Sequence, residues 1–288
     1  MHTLDAKTLA LSKSIEHALV ELNPRGMASL RSQLKPGYCA RAALRLWNNR
    51  QGKILIGTGF PVANTFETDG PAGAMALYTA LSQLGAEVWI AGPPSLAAVL
   101  ADTHRVIALD AAVNPTQADL CHSFIERIAP DLMISIEVPG AAEDGCYYNI
   151  RGVDISAQVR NFEEFMRQGN CPIIGIGDGG NEAGMGNIDA FAAALPIRPA
   201  VSRCDELVVA DVSNWGGYAL VAMLQYWSGE PFLEDLLETP LLAWLVEHGA
   251  VDGVTHQTRP TEDGLNEGSG NQIIARLLKD VNTARKAL

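Results

Sequence analysis

Cysteine is scarce in this chain of 288 residues. The five present, Cys39, Cys121, Cys146, Cys171 and Cys204, are an odd number at wide spacings with no C-x-x-C pair. That pattern excludes a disulfide framework and speaks against a thiolate zinc site; reduced, mostly buried thiols and a cytoplasmic address are expected. Long apolar runs are missing too: none approaches the ~18 residues that read as a membrane span. The N-terminus MHTLDAKTLALSKSIEHALVEL lacks the basic-then-apolar order of a secretory signal. Basic residues are few, 21 Lys and Arg against 33 Asp and Glu, for a net charge of −12. This excess argues against nucleic acid and anionic membranes as partners. No G-x-S-x-G elbow is present, and the six histidines include no H-E-x-x-H spacing, so an elbow-type serine hydrolase and a zincin are both disfavoured.

What is present is an alternation. Leu4, Leu11, Ile15, Ala18, Leu19 and Leu22 fall near one helical face, and a second helical stretch follows at about 38–50. This helical N-terminal segment of residues 1–50 could pack on the domain or against a second subunit, which leaves a homo-oligomer open. Six apolar runs follow: KILIGTG, AEVWIAG, RVIALD, DLMISIEVPG, PIIGIGDGG and ELVVADVSNWGG. Helical patterns separate them, at about 71–84, 95–103, 116–129, 158–169 and 184–194. Further helices are read at 217–228, 233–248 and 271–286. The expectation is a single α/β domain over 1–288, a mainly parallel, Rossmann-like sheet with helices on both faces.

Ligands of such sheets bind beyond the carboxyl ends of the strands. Four polar, glycine-rich stretches belong there: TGFPVANTFETDGPAG, EVPGAAEDGCYYNIRG, GDGGNEAGMGN and VSNWGG. Gly175, Gly177 and Gly180 match G-x-G-x-x-G, yet Asp178 and Glu182 within the same turn would repel a pyrophosphate, and no acidic ribose partner follows about twenty residues on. The preferred reading is that Gly179 and Gly180 let the backbone pass close to a small ligand, with Asp178, Asn181 and Glu182 offering oxygens to a divalent cation, an ammonium or a water. The rival reading is a tight turn whose carboxylates only cap the next helix. Glu67 and Asp69, two apart before a helix, form a candidate acid–base pair, with helix capping by Asp69 as the alternative. Arg151 is the best-placed fork for a substrate carboxylate, with Tyr148 beside it, and Asn214 brings an amide to the end of the sixth run.

TGFPVANTFETDGPAGA, GCYYNIRGVDIS, IGIGDGGNEAGMGN, VSNWGGYAL and VDGVT, in that order over about residues 50–265, resemble the D-glutamate cyclase family, and PRG at 24–26 is compatible with it. The resemblance implies a hydro-lyase that interconverts 5-oxo-D-proline and D-glutamate, with Mn²⁺ as a plausible activator. Eukaryotic members look longer, and this chain resembles their C-terminal part. On that chemistry Asp178 and Glu182, with Glu67 or Asp69, hold the cation or act as base and acid. Arg151 holds the α-carboxylate, and Asn181 and Asn214 hydrogen-bond at the reacting carbonyl. Two other readings stand beside it: a non-catalytic binding or sensor protein for an acidic amino acid or its lactam, and a dinucleotide-dependent oxidoreductase.

Overall fold

Apolar runs bounded by glycine become parallel strands when helices cover both faces, and all six runs do so here. The computed structural model of the chain describes residues 3–109, 115–160, 162–188 and 197–286. Helices α1 (Ala6–Ala18), α2 (Met27–Leu30) and α3 (Tyr38–Asn48) precede strand β1 (Lys53–Gly57) and a two-stranded hairpin, β2 (Pro61–Val62) with β3 (Thr65–Phe66). Then come α4 (Pro71–Gln83), β4 (Glu87–Gly92), α5 (Pro94–Leu100), β5 (Val106–Ala108), α6 (Pro115–Ile128) and β6 (Leu132–Ile136). The chain continues through α7 (Glu163–Gln168), β7 (Ile173–Gly177), β8 (Glu206–Val209), α8 (Ser213–Ser228), α9 (Glu238–Glu247) and α10 (Ser269–Lys286).

The six-stranded sheet runs β5-β4-β1-β6-β7-β8, every pairing parallel. From β1 the chain winds outward through β4 to β5, then crosses to β6 and winds the other way. The strand order therefore reverses between β1 and β6, and a crevice opens beyond their carboxyl ends. Alternate residues face opposite layers. Ile54, Ile56, Ile90, Ile134 and Ile176 enter the larger core, shared with α1, α3, α4, α8 and α10. Leu55, Ala91 and Met133 enter the smaller one, with Cys121 and Ile128 of α6 and Phe165 of α7. The N-terminal segment packs on this same chain: α1 lies against α3 and α10, and Ser14 donates to Asp280 at 2.8 Å. All five cysteines are free thiols. Among the described residues no helix is long and apolar enough to cross a membrane.

Four boundaries differ from the sequence pattern, and one is the helix read at 233–248, which begins only at Glu238 because residues 232–234 turn. The helix read at 158–169 begins only at Glu163, because residues 156–158 turn. In the stretch read as a helix at 184–194, residues 183–187 are turns, and 189–194 lie outside the described residues. The helix expected from 217 starts at Ser213, so SNWGG is its first turn rather than a loop. Its paired glycines serve packing: a Cβ on Gly217 would lie 2.9 Å from the Cα of Gly73 in α4.

The two helices also cap each other. Gly70 is the N-cap of α4; Asp69 before it accepts from the Gly70 amide with Oδ1 (2.8 Å) and reaches across to α8, its Oδ2 accepting from the Ser213 amide (2.9 Å) and its Oδ1 from the Asn214 amide (2.7 Å). Asn214 returns the arrangement, its Oδ1 accepting from the amides of Gly70 (2.9 Å) and Gly73 (2.7 Å) at the start of α4. Each side chain meets the free N–H groups of the other helix. Asn214→Ala would leave the buried Gly73 amide without an acceptor and the Glu262 carboxyl short of a partner, while the Gly70 amide keeps Asp69 Oδ1 (2.8 Å), and urea unfolding should show a loss of about 2–3 kcal/mol.

Candidate active site

Three strands side by side end in an acidic residue: Glu137 follows β6, Asp178 follows β7, and Asp211 stands two residues past β8. The connection after β1 adds Glu67 and Asp69. The strand ends share one rim, and Glu67, Asp69, Glu137 and Asp178 converge at the crevice where the strand order reverses, while the Asp211 side chain turns to the amides of Leu22 and Asn23. All five are buried, as are Asn181 and Glu182 in the glycine-rich turn. Glu67 is held in place by its backbone, donating to Phe60 O at 3.2 Å and bridging to Val251 of the C-terminal loop. Glu137 adopts φ 47°, an uncommon conformation for a residue with a Cβ. Its Oε2 accepts from Ser213 Oγ at 2.5 Å.

The glycine-rich turn does bind an anion, and the anion is its own. Glu182 folds back so that its carboxylate accepts from the amides of Gly179 (2.9 Å) and Gly180 (2.8 Å). The glycines make room for it: a Cβ on Gly177 or Gly179 would lie 2.8 Å from a Glu182 carboxylate oxygen. The Gly179 and Gly180 amides are thus taken and not offered to a pyrophosphate. The turn also follows the fifth strand of the sheet, whereas a dinucleotide fingerprint follows the first.

A cavity of about 190 Å³ sits over these groups. It is smaller than the roughly 300–1,000 Å³ of drug-sized pockets, so it suits a compact ligand. Glu67, Glu137, Asp178, Glu182 and Asp263 act on one another electrostatically and form its acidic end; Arg151, Asn149, Asp154 and His256 also line it, with Phe60, Val62 and Ile155. Asp263 comes from the C-terminal loop, which Asp252 gathers by accepting from the amides of Val254, Thr255 and Gly264 and from Thr261 Oγ1.

Burial drives the electrostatics. It pushes Glu67 well above the usual carboxylate range, with Asp263 and Asp69 adding to the rise. Burial does the same to Glu137, assisted by Glu182, Asp69 and Glu67. In Asp178 burial outweighs the pull of Arg25. Burial and Asp263 raise Asp69 to about 7 against the amides of Asn214 and Ser213. Burial raises Glu182 too, with the Gly180 amide opposing. The positive charge at this end is Arg25, ion-paired to Asp178 and to Asp263 (2.6 Å). Desolvation works against its charge, but those two carboxylates hold it firmly protonated.

An oxygen from each of Asp69, Glu137 and Asp178 lies within 4.8 Å of the others, so these three could hold a metal ion. The donor set fits a hard cation, which prefers carboxylate oxygens, and a cluster with more buried carboxyl groups than cations favours one. Glu182, expected with Asp178 as a metal ligand, stands outside this trio with both oxygens engaged by its own turn.

The other expected site residues divide. Asp178, Glu67, Glu182, Asn181, Gly179 and Arg151 all line the cavity. Arg151 is exposed, its Nη2 donating to Val254 O at 2.9 Å. Asn181 uses Nδ2 on Tyr148 O at 3.0 Å. Gly180 contributes its amide to Glu182. Tyr148 points elsewhere: its hydroxyl donates to Asp144 at 2.7 Å and Arg198 lies over its ring. Asn214 does not reach the cavity, because its amide is occupied by both helix caps, Thr68 O (3.1 Å) and Glu262 (2.7 Å). Sequence reasoning missed Arg25, Glu137 and Asp263. For Glu137 a signal existed, an acidic residue directly after a fully apolar strand; Arg25 and Asp263 reach the site only through the tertiary fold.

The fold and the site together define a doubly wound α/β protein with a carboxylate-lined small-molecule pocket at its switch point. Residues 15–278 match the model of a family described as D-glutamate cyclase-like, C-terminal. Human mitochondrial D-glutamate cyclase is 30% identical over 306 aligned residues, covering 85% of this chain and 48% of that protein. The chain belongs to the D-glutamate cyclase-like family, and spans about half the length of this curated relative.

Glu67 differs from the other carboxyl groups of the cavity in having no hydrogen-bond partner for its side chain among the described residues. It rests against the backbone of Gly253, with Oε2 only 1.6 Å from where a Cβ on that glycine would lie. Because its folded pKa is raised, the folded chain keeps a proton that the unfolded chain releases near 4.5. Folding then takes up a proton, and stability falls as pH rises above that value. Glu67→Gln removes this contribution. Its melting temperature should exceed the wild type's by a margin that widens from pH 5 to pH 8; a constant margin would show that Glu67 ionises normally.

Proposed function

We propose that this chain is a hydro-lyase that interconverts 5-oxo-D-proline and D-glutamate in the cavity beyond β1, β6 and β7. One observation carries the reading: buried carboxyl groups crowd one end of a compact cavity that also holds Arg151. A small zwitterion meets both requirements, its ammonium toward the carboxylates and its carboxylate toward the guanidinium. The similarity to human D-glutamate cyclase supports the same reaction class.

In the ring-opening direction a water adds to the lactam carbonyl and gives a proton to a carboxylate. The C–N bond then breaks, and the nitrogen takes up a proton. Glu67 suits the transfer to nitrogen, because burial keeps a proton on it and no internal hydrogen bond ties that proton down. In the cyclising direction the same group removes a proton from the ammonium, and the leaving oxygen departs as water. Glu137, tied to Ser213 Oγ, and Asp178, tied to Arg25, keep fixed positions around the reacting atoms. Asp69, Glu137 and Asp178 would hold a divalent cation, Mn²⁺ by family resemblance, which when bound supplies Lewis-acid polarisation of a carboxyl or carbonyl oxygen. Burial at the acidic end excludes bulk water and strengthens each of these interactions.

The test incubates pure protein with 5-oxo-D-proline and, separately, with D-glutamate, with and without Mn²⁺, and follows both compounds by chiral chromatography. Conversion in both directions is expected. Asp178→Asn should lower turnover at least about 100-fold while the melting curve stays cooperative. Binding of either compound without turnover would instead make the cavity a receptor for an acidic amino acid or its lactam. Binding of neither would remove the reading altogether.

A further inference from the structure

Arg25 reaches the cavity from outside the sheet, and its approach is fixed at the end of β8. The Asp211 amide donates to Leu19 O at 2.7 Å, while Asp211 Oδ2 accepts from the amides of Leu22 (2.8 Å) and Asn23 (2.9 Å). Two residues further on, the Arg25 side chain passes between the turn after β7 and the C-terminal loop. Its Nε donates to Asp178 O at 3.1 Å. Its Nη2 donates to Asp211 O at 2.8 Å, to Asp263 Oδ2 at 2.6 Å and to Asp178 Oδ2.

Nη1 stands apart from this set, with no hydrogen-bond partner among the described residues. The side chain is 16% exposed and belongs to the cavity wall. One edge of the guanidinium is therefore clamped by acceptors from three segments, while the other carries N–H donors available to a ligand. A donor held rigid before the ligand arrives costs no reorganisation at the moment of reaction. Arg also keeps its proton throughout, so it can bind developing negative charge without joining the proton transfers.

We propose that Arg25 is a catalytic residue of the reaction put forward above, donating from Nη1 to the oxygen of the lactam carbonyl as that oxygen becomes negative. The inference rests on that reading. The choice of oxygen follows from position. Arg151 stands exposed and takes the substrate's carboxylate. Glu67, Glu137 and Asp178, the groups able to hold or move protons, share the end of the cavity with Arg25, so the reacting carbon belongs there. In ring opening the water oxygen bonds to that carbon, one water proton passes to a carboxylate, and the carbonyl electron pair moves onto oxygen beside Nη1. The pair then returns to re-form the carbonyl as the C–N bond breaks, and the nitrogen takes the proton.

Arg25→Lys keeps a positive charge but loses the planar fork. It should lower kcat about 100- to 1,000-fold with KM changed no more than about three-fold, as for removal of an oxyanion donor. Arg25→Ala should lose activity similarly and regain part of kcat when methylguanidine is added, in proportion to its concentration. That rescue reads the missing donor directly, should Arg25→Lys prove unstable in a melting curve. Wild-type kcat in Arg25→Lys, or a raised KM at unchanged kcat, would overturn the assignment while leaving the proposed reaction intact. An inactive wild-type protein would instead overturn the reaction itself, and this role with it.

Discussion

Too many carboxyl groups share one buried crevice for all of them to be charged at once, and much of the structure answers that constraint. Glu67, Asp69, Glu137, Asp178, Glu182 and Asp263 meet around a single guanidinium. An isolated carboxylate taken out of water is costly, so each must gain donors, gain a counter-charge or keep its proton. All three solutions occur here. Glu182 takes two backbone amides, and Asp69 takes the start of α8. Asp178 and Asp263 share Arg25, and Glu67 is left to its proton.

Those solutions separate scaffold from chemistry. Carboxylates satisfied by fixed backbone amides build the frame: Glu182 shapes its turn, Asp252 gathers the C-terminal loop, and Asp69 locks α8 against α4 while keeping an oxygen within 4.8 Å of Glu137 and Asp178. Their N–H donors sit in peptide planes that cannot leave. A carboxyl group with no side-chain hydrogen bond among the described residues can take a partner when a ligand enters, and Glu67 is of that kind. The glycine-rich turn shows the difference sharply. Its composition resembles a phosphate cradle, but its amides face inward onto its own side chain, which turns a potential anion site into a wall of negative charge.

The sheet was legible in the sequence because strands buried on both faces are apolar throughout, and glycine and polar residues mark their ends. The rim was legible for the same reason, and five of the cavity residues named from sequence are side chains that line it: Glu67, Arg151, Asp178, Asn181 and Glu182. Local pattern could not say which side chains the frame itself would use. Asn214 looked like a ligand group since it follows a strand, but a polar residue there can equally cap a neighbouring helix. Choosing between the two needs the distance to Gly70 and Gly73, a tertiary quantity. Arg25 was hidden for a related reason: it lies 153 residues from Asp178, in a segment whose only periodic signal is its helix.

The position of Arg25 also explains why the N-terminal segment belongs to the site rather than to its surroundings. Removing that guanidinium would leave Asp178 and Asp263 with no positive group between them, and Asp178 would hold its proton more tightly. The proton-holding capacity of the cavity and the hold of the C-terminal loop would change together. Arg25, Glu67, Asp178 and Asp263 all fall within residues 15–278, the stretch matched by the family model. The coupling of N-terminal segment, glycine-rich turn and C-terminal loop through one side chain thus lies within the stretch that the family model matches. In the proposed reaction an ammonium entering the acidic end would meet carboxylates already positioned by Arg25, and the exposed guanidinium of Arg151 would complement the opposite charge of the same small molecule.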